Sequence, residues 1–230
     1  MKADLLEQLL AARAARRPVV LATWLESARQ ELFCANEDAG AGDAELHAAL
    51  REAIERDAAR IHELEGEPVF VQPFNPPLCL MIVGAVHIAQ QLAPMAASAG
   101  YEVLVIDPRG AFASEARFPD VSLSTKWPGE ALESAELDQR CAVVTLSHDP
   151  KLDDAALAAA LASGVFYIGA LGSRKTHAGR LERLRACGFD DDALARIHGP
   201  VGLDIGARTP AEIAVSILAQ MTQCLRHSSV

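Results

Sequence analysis

Apolar positions fall into two regimes along the chain. From Leu78 onward, short apolar runs alternate with amphipathic stretches. Leu78–Val83 reads as a strand and His87–Ala99 as a helix. Tyr101–Ile106 is the next strand, followed by a weaker candidate at Asp120–Thr125 and a strong one at Cys141–Leu146. Ala155–Ala162 predicts a helix, Val165–Ile168 a short strand, and Arg174–Ala186 a helix stopped by Gly188. The final helix starts most clearly: Thr209 as N-cap, Pro210 at N1 and Glu212 at N3 form a capping box, and Ile213, Ile217, Leu218 and Met221 continue its apolar face. Strands that are apolar throughout and alternate with helices predict an α/β fold, a Rossmann-like, mostly parallel sheet with helices on both faces.

The first third reads differently. Leu5, Leu6, Leu9 and Leu10 have helical spacing, and Val19–Ala22 reads as a strand. Asn36–Asp43 reads as a turn, with Asp43 capping a helix over Ala44–Leu64 whose face is Ala49, Ile54, Ala58, Ile61 and Leu64. Gly66, Pro68, Pro73, Pro76 and Pro77 then interrupt the pattern, with a strand at Val69–Val71 between them. These features predict a small α+β region over residues 1–77, a boundary near Asn75–Pro77, and the Rossmann-like domain over 78–230.

Charge narrows the function. The 31 acidic and 21 basic residues of this 230-residue chain give a formal charge of -10, which argues against nucleic acid as a main partner. The apolar runs are far shorter than the ~18 residues of a membrane span, and no leader-like apolar segment opens the chain, so the expected location is the cytoplasm. Cys34, Cys79, Cys141, Cys187 and Cys224 are scattered, which predicts neither a zinc site nor a disulfide framework. Cys79 and Cys141 read as small buried residues inside strands. A two-fold homodimer is the default expectation for such a chain.

Three glycine turns carry the candidate chemistry. Gly84-Ala85-Val86-His87 occupies the first βα turn, where a dinucleotide fold has its phosphate-binding glycines, and Asp107 ends the next strand, where such folds meet a ribose hydroxyl. Val86 stands where a glycine would let the main chain approach a pyrophosphate. That weakens, without removing, the reading of an NAD(P)-binding oxidoreductase. Gly169-Ala170-Leu171-Gly172-Ser173-Arg174-Lys175 joins a strand to a helix and puts two cations in its first turn. Cations oppose the helix dipole there, a conflict that an anionic ligand would resolve. The third turn, Ile197 to Ala207, carries His198, Gly199, Gly202, Asp204 and Gly206 ahead of the capped helix. With His148-Asp149 these loops are expected to share a crevice at the strand C-termini. His148, His177, His198 and Asp204 lack the spacing of a metal site, and none is expected.

The ordered series Gly84-Ala85-Val86-His87, Val105-Ile106-Asp107-Pro108-Arg109, Leu146-Ser147-His148-Asp149-Pro150, Tyr167 to His177 and Ile197 to Ala214 resembles the C-terminal Rossmann domain of the XdhC/CoxI family of xanthine dehydrogenase accessory proteins. The resemblance implies a chaperone that binds molybdenum cofactor, as molybdopterin or a dinucleotide form, and delivers it to a molybdenum hydroxylase apoenzyme. Binding and transfer, rather than turnover, are implied. The expected cofactor-binding residues are Gly84, Ala85, Val86, His87, Asp107, Arg109, His148, Asp149, Gly169, Gly172, Ser173, Arg174, Lys175, His177, His198, Gly199, Gly202, Asp204 and Gly206, with no catalytic residue. Full-length relatives carry an N-terminal Ser-Gly-Gly-Cys type motif that Met1–Pro77 lacks, which implies a separate protein supplying it. A third reading is an interaction protein that binds no cofactor.

Overall fold

The computed structural model describes residues 2–34, 44–64 and 66–227. They divide into two compact units, meeting in sequence between Pro76 and Pro77.

The first unit contains α1 (Ala3–Ala14), β1 (Val19–Trp24), β2 (Gln30–Cys34), α2 (Ala44–Arg56), β3 (Arg60–Leu64) and β4 (Glu67–Phe74). Its four strands form an antiparallel sheet in the order β2-β1-β4-β3. Alternation along β1 serves both faces: Val20, Ala22 and Trp24 pack with Leu46, Ala49, Leu50 and Ala53 of α2, whereas Val19 packs with Leu9 and Ala12 of α1. The sequence expectation of one helix from Ala44 to Leu64 is corrected here. The helix ends at Arg56, Asp57 takes a left-handed conformation at φ 51°, and Arg60–Leu64 pairs with Glu67–Val71. Ala58, Ile61 and Leu64 have helical spacing, yet Ile61 is 60% exposed, because pairing with β4 sets its direction. The expected turn at Asn36–Asp43, with the Asp43 cap, lies outside the described residues. Strand β2 had no signal beyond its own few residues. Pro68 and Pro73 are tolerated in β4 because each lies where the strand is laddered on one side only, Pro68 beside Glu63 of β3 and Pro73 beside Val20 of β1.

The second unit runs β5 (Leu78–Val83), α3 (His87–Ser98), β6 (Tyr101–Ile106), β7 (Ser122–Ser124), α4 (Pro128–Glu133), β8 (Cys141–Thr145), α5 (Pro150–Leu161), β9 (Tyr167–Ala170), α6 (Arg174–Ala186), α7 (Asp191–Ala195), β10 (Ile197–His198) and α8 (Pro210–His227). Its six strands form a parallel sheet in the order β10-β9-β8-β5-β6-β7, the Rossmann arrangement. Central strand β5 is buried throughout because both faces are covered. Leu78, Leu80 and Ile82 meet the core shared with α3 and α8, and Cys79, Met81 and Val83 meet the one shared with α4, α5 and α6. Cys79 and Cys141 are directly opposite in the β5–β8 register, both buried. Strand order reverses between β5 and β8, and in such sheets the crevice beyond that junction holds ligands.

Several elements differ from expectation, among them α4 and α7, which the sequence reading did not anticipate. Helix α5 starts five residues before Ala155, at Pro150, since the Asp149 side chain accepts from the Lys151 amide and Pro150 suits the first helical position. Strand β9 includes Gly169 and Ala170, so the turn after it begins at Leu171. Ile197-His198, expected in a loop, forms the sixth strand. The capping box of α8 is present: Thr209 N–H donates to Glu212 Oε2 at 2.9 Å, and Glu212 N–H donates to Thr209 Oγ1 at 3.3 Å. Among the described residues no helix is long and apolar enough to cross a membrane.

Candidate functional site

All six strands of the second unit run parallel, so their C-terminal ends line one edge, and most of the expected site residues follow those ends. The turn after β5 is built by Gly84, whose φ of 106° suits glycine and whose α-carbon lies on the Ser147 backbone. A Cβ at Gly84 would stand 2.8 Å from the Ser147 nitrogen, so the loops after β5 and β8 close on each other across the strand-order reversal. Val86 packs its side chain against the apolar core and is the N-cap of α3 without a side-chain cap bond. The first turn of α3 holds no acidic residue, and His87 is exposed there.

Asp107, at the end of β6, is fully buried. Its Oδ1 accepts from Arg109 N–H at 3.0 Å and Arg109 Nε at 2.8 Å. Its Oδ2 accepts from the Ala85 amide at 2.9 Å and Arg109 Nη2 at 2.7 Å. A carboxylate has about four acceptor positions, and all are taken. Burial alone would raise its pKa, but the Arg109 guanidinium and the two amides outweigh it and hold the carboxyl below its ordinary value. Here Asp107 holds the glycine turn and orients Arg109, whose side chain is 43% exposed.

After β8, Ser147 Oγ donates to Asp153 Oδ1 at 2.6 Å and accepts from the Asp149 amide at 3.1 Å. His148 between them is exposed and has φ 61°, a conformation rare without glycine that puts the imidazole out at the reversal point. Asp149 is spent on capping α5.

After β9, Gly172 has φ 138° and Ser173 caps α6, its Oγ accepting from the Thr176 amide at 3.1 Å. Arg174 and Lys175 follow, exposed, and among the described residues they have no ion-pair or hydrogen-bond partner. No acidic residue occupies that first turn. Beneath it Arg180, 2% exposed, donates through Nη2 to Leu171 O at 2.7 Å and faces Asp153 at 3.6 Å. Burial depresses the Arg180 pKa and raises that of Asp153, each opposed by the partner's charge and, for Asp153, by the Ser147 hydroxyl. This buried pair ties the loop after β8 to the loop after β9.

The third glycine loop joins the edge only in part. Gly199 follows β10 and lies under the His177 ring, which a Cβ there would overlap. Burial, then the Arg180 charge, lowers the His177 pKa. His198 turns away: its ring stacks on Tyr167 at 4.9 Å and its Nε2 lies 3.5 Å from Cys224 Sγ of α8, because residue 198 is in a strand and its side chain faces that helix. It lines a cavity of about 460 Å³ with Arg196, Ile168 and Gln223, away from the loops after β5 and β8 with which it was expected. Gly169 makes room for Tyr167 and Val201, and Gly202 for Ser216 of α8, so both serve packing. Asp204 and Gly206 are exposed. Among the described residues no three His, Cys, Asp or Glu side chains cluster closely enough for a metal ion.

Periodicity offered no signal for Ser147, Asp153 and Arg180, since a charged residue on a helix face ordinarily reads as solvated. Their role comes from contacts between three separate elements.

Comparison with known proteins bears on this edge. A family model described as the XdhC Rossmann domain matches residues 80–221. The chain is 34% identical over 154 residues to the molybdenum cofactor insertion chaperone PaoD of Escherichia coli, covering 67% of this chain and 42% of that protein. It is 32% identical over 163 residues to a probable xanthine dehydrogenase subunit of Bacillus subtilis, covering 70% and 47%. The chain thus spans less than half the length of these relatives. A crystal structure of a xanthine dehydrogenase from Bacillus halodurans superposes with a TM-score of 0.72 over 97% of this chain and 64% of that one, at 24% identity, which speaks for the fold alone.

Proposed function

The chain belongs to the XdhC family, and on that premise we propose that it binds molybdenum cofactor, as molybdopterin or a dinucleotide form, and delivers it to a xanthine dehydrogenase-like molybdenum hydroxylase. The cofactor is cargo here, bound and released without covalent change. The observation that carries the reading is the pair of exposed cations Arg174 and Lys175, unpaired among the described residues, in the acid-free first turn of α6. Molybdopterin carries a phosphate, its dinucleotide forms a pyrophosphate, and two cations with free helix amides form the polar surface such a group requires. Arg109 and the acid-free start of α3 extend that surface along the same sheet edge. Gly84, Ala85, Val86, His87, His148, Gly172 and Ser173 would frame the cargo, with His177 and Gly199 behind the α6 turn. Asp107 and Asp149 act by holding the loops.

Residues 1–77 contain no Ser-Gly-Gly-Cys run. A second protein that brings such a motif to the cargo before delivery is part of the proposal.

The test is direct. The full chain is titrated with freshly released molybdopterin, with binding followed by the pterin signal after gel filtration, and the loaded protein is then mixed with cofactor-free hydroxylase. Saturable binding and transfer are expected. Absence of saturable binding, with and without the partner proteins, refutes the reading.

A further inference from the structure

The connection from β6 to β7 departs from the rest of the sheet. Parallel neighbours are ordinarily joined through a helix, but residues 107–121 contain none and form an irregular loop. Loops of this length in a compact domain commonly serve a binding role. This one is pinned at both ends of its outer turn: Ala113 and Phe118 are buried in the core while Phe112 is 45% exposed. The surroundings of the exposed ring are fixed by specific bonds.

Arg109 Cζ lies 4.7 Å from the Phe112 ring centroid, and Arg117 Cζ lies 5.6 Å from it. Neither guanidinium is loose. Arg109 is held by Asp107 through Nε and Nη2, leaving Nη1 without a partner among the described residues. Arg117 donates through Nη1 to Phe112 O at 3.0 Å and through Nη2 to Gln90 Oε1 at 3.1 Å, and Gln90 Nε2 returns a bond to Arg117 O at 3.2 Å. A guanidinium is thereby set over an aromatic ring, and both are left partly open to solvent beside the glycine turn that Asp107 also holds.

We propose that Phe112 and Arg109 form a stacking subsite for a planar heteroaromatic ring, a pterin or a nucleobase. Such rings stack on aromatic and guanidinium planes alike, and Arg109 Nη1 is available to an exocyclic carbonyl oxygen. The ends of β6 and β9 are three strand spacings apart, roughly 14 Å, so a ligand with its ring at Phe112 and its phosphate at Arg174 is elongated along the sheet edge. The subsite rests on the cargo reading in taking this edge as the place where the ligand lies.

The experiment uses the full chain and a set of probes: molybdopterin, pterin-6-carboxylate, cytidine and guanosine 5′-monophosphates, and inorganic phosphate. Binding is measured by calorimetry and by saturation transfer to ring protons, for the wild type, Phe112→Leu and Phe112→Tyr. Since Phe112 is on the surface, both variants are expected to fold. The expected result is a loss of about tenfold in affinity for a ring-bearing probe in Phe112→Leu, recovery in Phe112→Tyr, and unchanged phosphate binding. The probe that shows the loss identifies the ring as pterin or base. Tight molybdopterin binding that Phe112→Leu leaves unchanged overturns the subsite and leaves the cargo reading standing. Phe112-dependent nucleotide binding without molybdopterin binding does the reverse. No binding of any ring-bearing probe overturns both.

Discussion

Gly84 and Ser147 are in backbone contact across the point where the strand order reverses, close enough that a single added carbon at Gly84 would lie 2.8 Å from the Ser147 nitrogen and 2.9 Å from its α-carbon. The atoms in the way are main chain, which cannot swing aside. Gly84 also has φ 106°. Gly84→Ala is therefore expected to destabilise the domain by about 2–4 kcal/mol, combining a left-handed penalty with overpacking. Denaturant unfolding measures it, and a loss under about 1 kcal/mol would show that the two loops part easily.

Asp107→Asn removes a charge whose acceptor positions are all filled. The Ala85 amide is left poorly satisfied, whereas Arg109 is exposed enough to regain water, so the expected loss at neutral pH is about 1–3 kcal/mol. The pH dependence follows from the lowered carboxyl pKa. A group depressed on folding contributes stability that is present above its unfolded pKa, about 3.9, and lost as pH falls through the folded value. The wild type should lose stability across that acid window more steeply than the variant, which thermal melts between about pH 5 and pH 2.5 would register.

Arg174→Ala with Lys175→Ala separates binding from stability. Two cations leave a helix N-terminus that disfavours them, so stability is expected to stay level or rise by about 0.3–1 kcal/mol. Affinity for a phosphate-bearing ligand should fall more than tenfold, and its salt dependence should flatten. An unchanged affinity would place the anion elsewhere.

The Asp153–Arg180 pair is buried on both sides, with side chains 3% and 2% exposed. Arg180→Met leaves a buried carboxylate without its cation and should cost about 3–5 kcal/mol. Asp153→Leu together with Arg180→Met should recover most of that loss while loosening the loops after β8 and β9. Hydrogen exchange at Leu171 and Ser147 tests the second half of this prediction. If the double variant is no more stable than the single one, the pair is not an isolated unit.

Much of the second unit could be read along the chain because its determinants are local. Apolar runs such as Leu78–Val83 suit a strand covered on both faces, and Ser173, Thr209 and Glu212 announce helix starts within four residues of themselves. The first unit was harder. Ile61 and Leu64 carry the same residues whether their segment is helix or strand, and only pairing with β4 decided between them.

The sequence by itself determined the alternation of strand and helix, the parallel Rossmann sheet, the unopposed cations at the start of α6 and the family resemblance, since each depends on neighbours a few positions apart. The tertiary structure alone decided how Asp107 spends its lone pairs, that His198 faces Tyr167 and Cys224 rather than the crevice, and that Ser147, Asp153 and Arg180 join two loops. Those partners are 22, 31, 26, 6 and 27 residues apart. Hydrogen bonds act over about 3 Å, and the chain order carries no record of which distant groups folding brings to that distance.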